Sequence, residues 1–128
     1  MTHKHTLMVT SLISILLGSL HLANDVVFGI EPGGTSNYTG VVILAVALYA
    51  TIALAGRRSG YMLTLIFAIG ASGVSYLHMT GVGMVGGHAA GKDGLLFWVW
   101  TLFALGATGL VTVALAAQGL WGSFRTRT

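Results

Sequence analysis

Four long apolar runs, separated only by short polar interruptions, leave this chain few choices of fold. They extend over about residues 7–30, 38–55, 61–79 and 95–120. Each is close to the ~20 residues that an α-helix needs to cross a ~30 Å hydrocarbon core. Hydrophobic residues make up 55% of the sequence and charged residues only 7%, whereas a soluble domain carries about 25% charge. The expectation is therefore an all-α integral membrane protein: one domain over 1–128, built as an antiparallel four-helix transmembrane bundle in contact with the lipid bilayer.

The interruptions set the topology. Residues 31–37 and 80–94 form two loops on one side, and the basic hairpin 56–60 lies on the other. Lys4, Arg57, Arg58, Arg125 and Arg127 then share a side, leaving only Lys92 opposite. Basic residues concentrate on the cytoplasmic side of membrane proteins, so both termini are expected there, in a multi-pass protein of the bacterial inner membrane. Trp98, Trp100 and Trp121, at the two ends of the last run, are read as membrane-interface anchors, with Arg57 and Arg58 at the hairpin.

Against this background the stretch His21–Gly34, HLANDVVFGIEPGG, stands out. The chain has three acidic residues, and two of them, Asp25 and Glu31, lie here. Proline and glycine at 32–34 suit a turn that ends the first span. At 1.5 Å per residue, His21 sits ~21 Å along the first span and His78 ~26 Å along the third. Parallel spans bring these two histidines to one depth near the non-cytoplasmic face. Asp25 follows His21 by four residues and so shares its helix face. Ionisable groups inside a membrane are costly and usually face the bundle interior.

Imidazoles with a carboxylate suit zinc, copper(II), iron(II), nickel or manganese, while calcium and magnesium prefer all-oxygen shells. His21, Asp25 and His78 are the candidate metal ligands. Glu31, His88 and Asp93 are possible additional ligands, and Asn24 is a supporting residue beside Asp25. Haem b held by the two histidines is an alternative, although three acids and one lysine on that side suit a cation better than porphyrin propionates. A quinone hydrogen-bonded to His21 and Asp25 would leave the same sequence trace.

A different class of function is a structural subunit that forms a homo-oligomer or docks on a larger membrane complex through small-residue faces. Ser14, Gly18, Ser19 and Ala23 on the first span, with Gly70 and Gly73 on the third, are the candidate packing positions. Transport would require several copies. Hydrolytic catalysis is poorly supported, since no phosphate loop, zincin signature or Ser-His-Asp order is visible. Cysteine is absent, which removes thiolate sites and c-type haem attachment. The pI near 9.7 comes from basic residues at helix ends, without the basic stripe or aromatic platform that nucleic acid requires.

Overall fold

The computed structural model describes residues 2–31, 33–80, 91 and 93–125, without the side chains of Ser36, Met79 and Thr80. Pro32, Met84, His88, Lys92 and most of the glycine-rich 80–94 stretch lie outside the described residues. Four helices pack as a bundle: α1 (His3–Phe28), α2 (Tyr38–Ile52), α3 (Arg58–Thr80) and α4 (Leu95–Arg125), with a 3-10 turn at Gly34–Asn37 before α2. Three of them, α1, α3 and α4, are long and apolar enough to cross a membrane.

The second run departs from its expected span. Its helix has 15 residues and stops at Ile52, short of 55. Gly56, at φ 82°, belongs to the turn that follows. Gly60 lets the Leu54 carbonyl come so close that a Cβ would collide with it. Arg58, read as part of the hairpin, instead opens α3. Its guanidinium donates to the Ser123 carbonyl and lies 4.4 Å from the centre of the Phe124 ring.

Contacts between α1 and α4 pair in opposing order, Ser14 with Thr112, His21 with Thr101 and Asp25 with Trp98, so these helices run in opposite directions. Lys4 meets Gly56 at one end of the bundle, and His21 meets His78 at the other.

The packing is what a lipid solvent selects. Large apolar side chains point outward, Leu96 and Val27 being 85% and 79% exposed. Alanine, serine and threonine fill much of the interior: Ala50, Ala68, Ala116, Ser11, Ser14, Thr101 and Thr112 are almost wholly buried. Small side chains let helices approach, and their hydroxyls join them. Ser11 and Thr51 share a 2.7 Å hydrogen bond, and Ser75 donates to the Leu102 carbonyl at 2.7 Å.

The positions that permit the closest approach differ from those expected. A Cβ on Gly70 or Gly73 would meet nothing within 4 Å, and Ala23 is exposed, so none of these three is a close helix contact. Gly18 makes ordinary contacts with Leu44 and Leu105, while Ser19 bonds back to the Ile15 carbonyl of its own helix. The tight face joins Ala68, Ser72 and Ser75 of α3 to Gly106 and Gly109 of α4. A Cβ on Gly109 would lie 2.6 Å from Ser72 Oγ and 3.1 Å from the Ser72 backbone nitrogen. Gly109→Leu is therefore expected to force α3 and α4 apart, at a cost of about 1–3 kcal/mol. Gly73→Leu should be nearly neutral. Denaturation midpoints in mixed detergent compare the two.

Candidate metal centre

The site begins with how α1 ends. Gly29 takes φ 73° and closes the helix, so the stop precedes the Glu31–Gly34 turn that the sequence suggests. Its N–H donates to the Val26 carbonyl, and the Ile30 N–H donates to the Asp25 carbonyl at 2.8 Å. This pair of bonds is the Schellman arrangement, in which a left-handed glycine satisfies the last carbonyls. The backbone of Asp25 is thereby fixed three residues before the helix end.

His21 and Asp25, one turn apart on α1, are 2% and 5% exposed. His78, near the end of α3, reaches the same level, and its ring centre lies 5.1 Å from that of His21. The two histidines thus meet at one depth, as the helical rise predicts. Asp25 Oδ2 lies 3.6 Å from His21 Nε2 and 3.4 Å from His78 Nε2.

Hydrogen bonds behind the rings decide where the imidazole protons sit. His78 Nδ1 lies 3.1 Å from the Val74 carbonyl, which can only accept, so Nδ1 carries the proton. Thr101 gives its hydroxyl proton to the Trp98 carbonyl at 2.9 Å. Its oxygen therefore accepts from His21 Nδ1, 3.2 Å away. In the neutral tautomers both Nε2 atoms are bare lone pairs, and neither has a hydrogen-bond partner among the described residues. Each Nε2 lies within ion-pair reach of Asp25 Oδ2, so a proton or a metal cation can bridge them.

Trp98 completes the arrangement. Its indole Nε1 donates to Asp25 Oδ1 at 2.6 Å, leaving Oδ2 turned to the histidines. The ring is fully buried and lies against His21, His78 and Phe28, with centres 5.3, 5.6 and 6.4 Å away. This corrects the reading of Trp98 as an interface anchor: it is a wall of the site. Trp100 and Trp121 are exposed on the bundle surface, as is Arg57.

Glu31 and Asp93 are exposed and stand outside the cluster formed by His21, Asp25 and His78. Asn24 is half-buried, and its Nδ2 finds no partner among the described residues. The predicted additional ligand His88 is outside the described residues.

Electrostatics at this level favours a cation. A buried carboxylate demands a counter-charge. The C-terminal ends of α1 and α3 point here, but so do the N-terminal ends of α2 and α4, so the helix dipoles largely offset and the counter-charge must meet Asp25 itself. No basic residue occupies the last turn of α1. One ligand atom from each of His21, Asp25 and His78 falls within 4.8 Å of the other two, so the group could hold a metal ion.

Beside the cluster, a cavity of about 470 Å³ extends between α1, α2 and α3, with His21, Asp25 and His78 in its lining. Most of its wall is apolar, and Glu31 lies among the residues that border it. No family model, curated protein or solved structure matches this chain.

Proposed function

We propose that this protein binds a transition-metal ion within a membrane, through His21 Nε2, His78 Nε2 and one oxygen of Asp25. The observation that carries the proposal is the convergence of His21 Nε2, His78 Nε2 and Asp25 Oδ2, each group held from behind by a hydrogen bond. A single added proton would relieve one contact, whereas a divalent cation accommodates all three. Bonds of 2.0–2.1 Å in a tetrahedral shell place neighbouring ligand atoms roughly 3.3–3.4 Å apart. The observed separations of 3.6 and 3.4 Å are close to that edge. Hydrogen bonds on the far nitrogen of a ligating histidine, here to Thr101 and the Val74 carbonyl, are the usual support of such sites.

Two nitrogens and one carboxylate suit zinc, iron(II), copper(II), nickel or manganese. The haem alternative fits less well. A porphyrin passing between two axial histidines needs that gap clear, and Asp25 Oδ2 lies against both Nε2 atoms. Elemental analysis of protein purified without chelators is the test, with about one metal ion per chain expected. Metal-free protein forming a stable homo-oligomer would favour the structural-subunit reading instead.

The proposed orientation places both termini and the Arg57–Arg58 turn in the cytoplasm and the metal site toward the opposite face. It is supported by Lys4, Arg58 and Arg125 lying at the bundle end remote from His21. A reporter inserted between Arg57 and Arg58 should read as cytoplasmic, and a non-cytoplasmic signal would reverse the orientation.

A further inference from the structure

The cavity beside the cluster is more than a metal ion needs, and its chemistry is divided. One end carries the three lone pairs of His21, Asp25 and His78, while the wall is built from Leu22, Ile43, Leu44, Phe67 and Leu105. A volume of about 470 Å³ lies within the roughly 300–1,000 Å³ range of small-molecule sites, and such sites are mostly apolar with a few converging polar groups. The opening is toward the bilayer side of the bundle, where Ile43, Ile66 and Gly70, all cavity-lining, are exposed. A ligand using it would therefore come from the membrane.

The lining points to a class of ligand. Gly18, Gly40 and Gly70 each contribute to the lining, one from each of α1, α2 and α3. Gly70 is exposed and a Cβ there would meet nothing within 4 Å, so it leaves the mouth of the cavity open, whereas a Cβ at Gly18 or Gly40 would touch Leu44, Leu105, Leu22 and Asn37. Phe67 offers an aromatic neighbour for a flat ring. At the polar end, bare imidazole nitrogens call for a hydroxyl-bearing head.

We propose that the cavity between α1, α2 and α3 binds a bilayer-soluble hydroquinone, with its ring in the apolar cavity and one hydroxyl at the His21–Asp25–His78 group. The proposal rests on the metal-site reading for the hydroxyl oxygen to occupy the open coordination position of the bound ion. In metal-free protein the same hydroxyl can donate to either bare Nε2, so cavity binding is measurable with or without metal.

The experiment uses the full chain in lipid nanodiscs, with Trp100 and Trp121 changed to phenylalanine so that Trp98, beside both histidines, reports alone. Decyl-hydroquinone is titrated with and without cobalt(II), following Trp98 fluorescence and the cobalt visible bands. Saturable quenching is expected, weakened at least ten-fold by Gly70→Leu and unchanged by Gly73→Leu, which lies on the same helix outside the cavity lining. In Gly70→Leu the cobalt(II) stoichiometry should stay as in the parent. Decan-1-ol, with the same tail and no ring, should give no saturable signal.

Absence of saturable quenching, equal affinity in Gly70→Leu, or an equal response to decan-1-ol would each overturn the hydroquinone proposal. Failure to take up cobalt(II) would overturn the metal reading, and the metal-free titration would still decide the cavity's ligand.

Discussion

Replacing both His21 and His78 with alanine is expected to abolish metal binding. Structural zinc sites contribute apparent binding energies of about 10–16 kcal/mol, or roughly 2.5–4 kcal/mol per ligand in a four-ligand site. Loss of two ligands should weaken binding by roughly 10⁴-fold or more. Asp25 would remain as a buried carboxylate with one indole donor, which is too little to hold an ion through purification. Inductively coupled plasma analysis should fall from about one metal per chain to background. A second readout follows from linkage: a ligand that binds only the folded state adds about 2.7 kcal/mol of stability at a hundred times its Kd. Added metal should raise the denaturation midpoint of the parent protein and leave the double variant unmoved. Equal metal content in parent and variant would remove the site.

Trp98 gives the second large effect, and its two substitutions separate packing from hydrogen bonding. In Trp98→Phe an aromatic ring still faces His21 and His78, but the 2.6 Å bond to Asp25 Oδ1 is gone. The carboxylate is then free to rotate away from the ligating pose. Loss of such supporting bonds typically costs 10–100-fold in metal affinity, and that is the effect expected here with the bundle intact. Trp98→Ala removes the largest fully buried side chain among the described residues, with an expected cost of about 3–5 kcal/mol. Competition titrations against a chromophoric chelator measure the first, and denaturation midpoints the second. If Trp98→Phe bound metal as tightly as the parent, Asp25 would not need its indole donor.

The two histidines could be placed together from the sequence because helical rise is constant. Counting residues from the start of two parallel apolar runs gives their depths, and the four-residue interval puts Asp25 on the face of His21. Rotation about a helix axis is harder to read when the helix is apolar all round, and α4 is such a helix. Its inward face is marked only by spacing: Trp98, Thr101, Leu105, Gly109, Thr112 and Ala116 recur every three or four residues, and all are buried. That row was the available signal for Trp98 and Thr101, the two site residues hidden by the belt-like pair Trp98 and Trp100. On α3 the small residues were visible as a group, but the ones that touch α4 are Ala68, Ser72 and Ser75. Gly70 and Gly73 point elsewhere, and Gly70 borders the cavity. The end of α2 was equally hidden, since an aliphatic run looks the same on either side of a helix terminus.

The shortness of α2 has a consequence for the surrounding lipid. Fifteen residues rise only ~22 Å, well below a ~30 Å hydrocarbon core. The residues just before the helix, Gly34–Asn37, are polar and resist burial in hydrocarbon. A span this short is met in a bilayer by local thinning, by snorkelling of flanking residues or by oligomerisation. Long α4, with 31 residues, imposes no such demand on its own flank. The short helix is also the one that borders the cavity together with α1 and α3.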